Sequence, residues 1–312
     1  MQLSLLLMKQ IFSMFLQILM GFAIVKVGIL EPKQSDVLSA FSIYVICPCM
    51  IINSFLVDME AERLQGLIIA VIAMIIIHSL YVIITRVLEK KSLITNVESA
   101  SLTYANGGNL VIPLVNALLG ADQVIYCSAF SMVQNVFLWT HGMRLVGSGK
   151  KSSIKKIFLN PNMLAIFVGL ILFLTGFPLP EILEDTISTV GGTVGPISMF
   201  MIGMVMGGVD FRQSFGRLRP YLICLGRLIL CPLLFILLIR LSGVTKWLPF
   251  TKSVLLVSTL QMCAPVAVLI TQMANLYGSQ EDARDAGAIN VLSVIFCIIT
   301  MPFIIWIYQV VC

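Results

Sequence analysis

Long apolar runs recur along the chain, each close to the twenty or so residues that a helix needs to cross a bilayer core of about 30 Å. Ten are read, at residues 10–30, 36–57, 64–86, 98–120, 123–146, 161–178, 186–208, 219–241, 251–276 and 286–310. Two of them are interrupted where a membrane helix should be least polar. The fourth run contains Tyr104-Ala-Asn-Gly-Gly-Asn-Leu-Val-Ile-Pro113, and the ninth contains Gln261-Met-Cys-Ala-Pro265. Backbone amides in hydrocarbon must be paired within the protein, and an unpaired one costs several kcal/mol, on the order of a lost hydrogen bond or more. Unwound backbone at that depth therefore survives where protein buries it or where it lines a cavity. Broken helices in matching places of two halves point to the binding site of a carrier.

Composition agrees with the runs. The chain has 312 residues, 59% apolar and only 11% charged, against roughly 25% charged in soluble domains. The expectation is an all-α integral membrane protein with ten transmembrane helices and no soluble domain. The first apolar stretch lacks a basic leader and a small-residue cleavage site, so it is read as a retained helix. Eight cysteines, at 47, 49, 127, 224, 231, 263, 297 and 312, lie inside runs or at the last residue. That placement does not suit a secreted disulfide framework. Cys47-Pro-Cys49 is read as small apolar packing rather than a metal pair, and no metal or cofactor is expected.

The net charge of +5 matters less than its distribution. Odd-numbered connections and their helix ends hold Lys26, Lys33, Arg86, Lys90, Lys91, Arg144, Lys150, Lys151, Lys155, Lys156, Arg212, Arg217, Arg219 and Arg284. The opposite side holds Lys9, Arg63, Arg240, Lys246 and Lys252, while Arg227 falls within a run. By the positive-inside rule the odd loops face the cytoplasm and both termini lie outside. The basic loop at 147–160 is then a topology determinant. It lacks the upstream glycines of a phosphate-binding loop, and nucleic acid is not an expected partner.

Five runs precede that loop and five follow it, so the second half inserts upside down relative to the first. Residues 1–146 and 161–312 are thus read as two inverted five-helix repeats. Pro48 and Pro113 stand 65 residues apart, and Pro196 and Pro265 stand 69 apart, as a repeat would have them. Pro113 and Pro265 each follow a polar or small stretch, and proline suits the first turn of a helix. Each is read as restarting a half-helix whose positive N-terminus aims at the bilayer centre. Two such ends converging on one spot suit a carboxylate without any Lys or Arg.

The candidate substrate-binding residues follow from these breaks. Asn106 and Asn109 bind a carboxylate or hold the unwound backbone open. Gly107 and Gly108 allow a turn or close approach of ligand, or else close helix packing. Gln261 and Gln272 flank Pro265, and Gln134 and Asn135 in the fifth run are further candidates, of which only one need face inward. His78 is read as a packed, hydrogen-bonded side chain rather than a titrating one. Arg227 either draws anions to an inner cavity or snorkels to the interface. Acidic residues cluster at the ends of runs, as at Asp58, Glu60, Glu62, Glu98, Asp122, Glu181, Glu184 and Asp185. A carboxylate proton relay is therefore not expected. A sodium site built from backbone carbonyls with Ser258 and Thr259 stays open, as does uncoupled movement; the coupling ion, H+ or Na+, is not fixed by the sequence. With its two histidines distant in sequence and no acid in mid-run, the chain offers no cluster for an intramembrane enzyme.

These residues also resemble a known family, the auxin efflux carriers, which includes bacterial malonate and malate permeases. Ala105-Asn106-Gly-Gly108-Asn-Leu-Val-Ile-Pro113-Leu114 resembles the family's first crossing helix, with Val111 where glycine is usual. Met262-Cys-Ala-Pro265-Val-Ala267, followed by Ala274-Asn-Leu-Tyr277-Gly278, resembles the second, with Val266 where plant carriers have glutamine. Asn160-Pro161, Pro196 to Gly203 and Asn135 to Trp139 fit the same order. The resemblance implies two inverted five-helix repeats, crossing helices 4 and 9, a scaffold part and an elevator-like transport part. It also implies a homodimer with helices 2 and 7 near its interface, and a substrate ligand in Asn106. The missing hydrophilic loop of plant exporters favours a bacterial inner-membrane permease for a small organic anion such as malonate or malate. A sodium-coupled carrier of the bile-acid transporter kind is the nearest alternative, and a transporter-derived receptor a more distant one.

Overall fold

Across hydrocarbon a chain must pair its own N–H and C=O groups, and a helix does so within one segment. Every regular element of the described residues is accordingly helical, apart from one isolated antiparallel bridge between Ala105 and Val266. The computed structural model describes residues 2–58, 60–146, 159, 161–208, 216–246, 248 and 250–312. Most of the basic loop, including Asn160, lies outside the described residues, as do the side chains of Asn109, Pro113, Trp139 and Gln272.

Among the described residues four helices are long and apolar enough to cross a membrane: Ala61–Lys90, Glu181–Gly207, Leu218–Ser242 and Gln280–Val311. They correspond to the third, seventh, eighth and tenth apolar runs. Shorter apolar helices cover Phe12–Lys26, Tyr44–Phe55 and Pro161–Thr175. The remaining runs are segmented. The fourth divides into Asn96–Thr103, a π-helical turn Gly107–Val111 and Ile112–Leu119, and the ninth into Thr251–Met262 and Val268–Tyr277. The fifth carries a π-turn at Leu138–Gly142 between Val124–Phe137 and Met143–Val146.

Proline explains three of the four π-turns. Ser42–Ile46, Gly107–Val111 and Gly226–Leu230 each give way to an α-helical segment whose second residue is a proline, Pro48, Pro113 or Pro232. Proline has no N–H to give and its ring crowds the carbonyl four residues back. Widening the preceding turn relieves that clash without breaking the helix. Pro113 therefore sits inside a helix that has already restarted at Gly107, and it does not begin that helix as the sequence suggested.

The chain forms two compact units, each drawn from both halves of the sequence. One comprises Met1–Gln65, Gly108–Ser128 and Phe158–Val209, and the other Gly66–Gly107, Ala129–Ile157 and Asp210–Cys312. The expected division at 146 and 160 is one of repetition along the chain, whereas these units are defined by packing.

In the first unit the helix Gln2–Lys26 lies against Val194–Gly207. The two approach closely because a side chain at Gly203 would strike the backbone of Ile18, and one at Gly21 that of Phe200. Cys47–Phe55 packs on Pro161–Thr175 and Glu181–Gly192, and the Ser54 and Ser128 hydroxyls bond at 2.9 Å. A cavity of about 490 Å³ opens among Gln17, Asn53, Ser54, Asn116, Asp122 and Ser188.

The second unit is centred on Tyr104, Leu138, Val266, Ile270, Ile289 and Leu292, all buried. Glu98 fixes its polar end. Its carboxylate accepts from Arg219 Nε at 2.7 Å and Nη2 at 2.8 Å, and from the Thr95 N–H at 2.7 Å. The Thr95 hydroxyl accepts from the Glu98 N–H in return, so the helix Asn96–Thr103 begins in a capping box. One buried carboxylate thus anchors the start of the broken fourth run to the eighth. Glu98→Ala should destabilise the protein by about 2 kcal/mol, from one charge-assisted bond and one cap. A fall in melting temperature of the detergent-purified protein, absent from Glu184→Ala, checks this.

Candidate functional site

The two breaks meet in the second unit. The helix Asn96–Thr103 gives way at Tyr104 to extended backbone (φ −106°, ψ 128°). The helix Thr251–Met262 ends at Cys263, and the chain is extended again at Ala267 (φ −61°, ψ 125°) before Val268–Tyr277. The extended pieces run antiparallel. The Asn106 N–H donates to Pro265 O at 2.7 Å, and the Ala267 N–H to Tyr104 O at 3.0 Å.

Those bonds leave the central residues Ala105 and Val266 with their N–H and C=O pointing away from each other. Side chains from the neighbouring runs complete the pairing. Gln134 accepts from the Ala105 N–H through Oε1 and donates to Ala105 O through Nε2, both at 2.8 Å. Opposite, Ser293 Oγ accepts from the Val266 N–H at 3.0 Å, and Asn290 Nδ2 donates to Val266 O at 3.1 Å. The strip of backbone is therefore satisfied group by group at a depth where water is scarce.

Proline has a different role here from the one the sequence suggested. Pro265 lies in the extended strip, where its missing N–H is not needed and its carbonyl accepts from Asn106. The helix resumes three residues later, at Val268.

Two side-chain amides beside the strip have donors without a partner among the described residues. Gln261 is fully buried, and neither its Oε1 nor its Nε2 has a hydrogen-bond partner. Asn106 is 6% exposed, and its Nδ2 likewise has none. Gly107 lies directly against Gln261: a Cβ there would run into the Gln261 side chain and approach Phe130 Cε1 to 2.6 Å. The absence of a side chain at 107 is thus what admits the Gln261 amide.

Arg227 occupies the other side of the breaks. It is fully buried, so neither snorkelling nor exposure in an inner cavity describes it. Nη1 donates to Leu102 O at 3.3 Å and Nη2 to Met262 O at 3.2 Å. These carbonyls end the two first half-helices, where the backbone dipoles are negative. A single guanidinium therefore caps both, and its π-turn, Gly226–Leu230, aims it there. Its Nε has no hydrogen-bond partner.

Of the residues expected at the site, the structure brings together Asn106, Gly107, Gln261 and Pro265. Gly108 begins the chain segment that belongs to the first unit, which also holds the backbone of Asn109 and Pro113. Gln134 is the member of its pair that reaches the break; Asn135 is half-buried beside it. The Ser258 and Thr259 hydroxyls donate to Val254 O and Leu255 O of their own helix, at 3.0 and 2.7 Å. His78 is buried against Phe130 and Phe137, with Nδ1 2.9 Å from Met74 O. Among the described residues no group of three or more His, Cys, Asp or Glu is placed to hold a metal ion. Asn290 and Ser293 escaped the sequence reading. Their signal was an i, i+3 polar pair on one face of an otherwise apolar run.

A family model described as membrane transport protein matches residues 6–154 and 148–305, nearly the whole chain. No curated protein matches it.

The bridge makes a distinct prediction. Gln134→Leu leaves the Ala105 N–H and C=O unpaired, at roughly 1–3 kcal/mol for each buried group. A large loss of thermal stability is expected, while Asn135→Ala should shift it little. Equal shifts for the two variants would refute the clamp.

Proposed function

Since the chain belongs to the membrane transport protein family, that of the auxin efflux carriers, it is a membrane transporter, and we propose that it carries a small organic anion. The substrate is a mono- or dicarboxylate such as malonate or malate. The observation that supports this most is the pair of buried amides beside the bridge, Asn106 and Gln261, whose donors find no acceptor among the described residues. A buried polar group is normally paired, and an amide donor pairs well with a carboxylate oxygen. The second half-helices begin at Gly107 and Val268, beside the same strip. Helix N-termini carry unpaired N–H groups and a positive dipole, which favour an anion.

On this reading Asn106, Gln261 and the N–H groups at the restarts hold the carboxylate, with Gly107 giving it close approach. Asn109, Gly108, Pro113 and Asn135 complete the candidate set from the sequence. The two five-helix halves are inverted repeats. The Ala105 and Val266 clamps support that symmetry, because each break is held by the run that follows it. Access alternates by an elevator-like movement of a transport part holding the crossing helices against a scaffold part. The charge distribution along the loops supports an inner-membrane protein with both termini outside, and the family resemblance supports a homodimer. The sodium-coupled alternative would draw on the lone pairs of Ser258 and Thr259, whose hydroxyl protons are donated within their own helix.

Solid-supported membrane currents from proteoliposomes challenged with malonate, malate, lactate and indole-acetate test the proposal. One or more of these acids should give a current or labelled uptake. Asn106→Ala and Gln261→Ala should each lower it by about tenfold or more, as loss of a hydrogen bond to a charged group does. Transport that survives both substitutions would place the substrate elsewhere, and absence of flux with every acid would remove the anion reading.

A further inference from the structure

We infer that Arg227 is a built-in cation occupying the place that a coupling ion takes in carriers with broken helices, so that this carrier needs no sodium. The inference rests on the reading of the chain as an anion carrier, and it adds how the substrate's charge is balanced.

In carriers with discontinuous helices, the C-terminal ends of the half-helices and the unwound carbonyls coordinate the co-transported cation. Here the corresponding carbonyls, Leu102 O and Met262 O, accept hydrogen bonds from one guanidinium. Arg227 is fully buried, and among the described residues no carboxylate lies within ion-pairing distance of it. Glu98, the buried acid of the same unit, is taken by Arg219. A buried charge without a counter-charge is costly. Two helix C-termini supply part of the compensation, each carrying a partial negative charge.

What the helix ends leave uncompensated, an anion can supply. Arg227 Nε is buried and unpartnered, and the unpaired amides of Asn106 and Gln261 belong to the same two broken runs. Arginine suits this role because it stays charged in a dry site and its planar fork reaches two acceptors at once. Empty, the site carries a single positive charge; a monocarboxylate makes it neutral, and a dicarboxylate such as malonate leaves it with one negative charge. The empty carrier and the dicarboxylate-loaded one then both feel the membrane potential, in opposite directions. Cys231 and Cys297 line the same carbonyl cluster, with Sγ 3.8 Å from Leu102 O and 3.5 Å from Cys263 O.

The test uses the full-length protein as wild type, Arg227→Met and Arg227→Lys, in matched chlorides of choline, sodium and methylguanidinium. Melting temperatures of the purified proteins should be alike in the three salts for wild type. Arg227→Met should melt lower in choline and recover in sodium or methylguanidinium. Malonate uptake into proteoliposomes should be equal in choline and sodium for wild type. In choline it should fall about tenfold or more in Arg227→Met, as expected for a lost bond to a charged group, and rise again with the added cation. Sodium stimulation of wild-type flux, or sodium stabilisation of the wild-type protein, would overturn the inference. So would an Arg227→Met protein indifferent to all three salts. If Arg227→Met fails to fold, Arg227→Lys keeps a charge at the site and should fold; sodium-dependent stability or flux in that variant also overturns the inference. If wild type transports no acid, the anion reading fails, whereas the melting series still decides whether Arg227 fills a cation site.

Discussion

The structure depends on one requirement, that backbone polar groups be paired where there is no water to pair them. A continuous helix meets it without help from outside. Two helices broken at the same depth do not, and the remainder of the second unit is arranged around that deficit. The breaks lend each other two hydrogen bonds across the Ala105–Val266 bridge. The outward-facing groups then draw Gln134 from one neighbouring run and Asn290 with Ser293 from another. Each of these side chains is costly in hydrocarbon on its own and stabilising once paired.

The breaks also separate charge. Four helix ends are created: two C-termini that are negative and two N-termini that are positive. The negative pair is met by a side chain of the protein, Arg227, through Leu102 O and Met262 O. At the positive pair, Asn106 and Gln261 contribute amides rather than carboxylates, and their donors have no acceptor among the described residues. This asymmetry is what the proposed anion reading rests on. Had the chain placed an acid at 261 and an apolar residue at 227, the same backbone would favour a cation.

Much of this was legible in the sequence. The glycine and proline pattern located both breaks, and Asn106, Gly107, Gln261 and Pro265 are brought together as expected. The roles of the two prolines were less legible. Proline at a helix start and proline after a π-turn obey the same steric rule, and only the course of the preceding backbone distinguishes them. Thus Pro113 follows a helix already restarted at Gly107, while Pro265 stays in the extended strip. The choice between Gln134 and Asn135 was illegible for a related reason. Adjacent residues face different sides of a helix, and nothing local says which side meets a break formed thirty or so positions earlier. Arg227 was open to two readings, drawing anions to an inner cavity or snorkelling to the interface, because its distance along the run allowed both. Its burial is set by the two carbonyls, which come from runs distant in sequence.

The two clamps differ in a way that bears on movement. Gln134 satisfies both groups of Ala105 with one amide, which has a donor and an acceptor on the same rigid plane. Val266 needs two residues, because Ser293 supplies the acceptor and Asn290 the donor. Ser293 donates its own proton to Asn290 O at 2.7 Å, which commits the hydroxyl lone pairs to Val266. Neither clamp can release its backbone without exposing a buried polar group. Motion confined to the bridge is therefore disfavoured, and any displacement of Asn106 or Gln261 must carry the clamping runs with it. The same holds for Arg227, whose bonds join both first half-helices to the eighth run. Displacement of these residues therefore involves a larger body than the bridge, and the physical reason lies in the hydrogen-bond inventory of a few backbone residues.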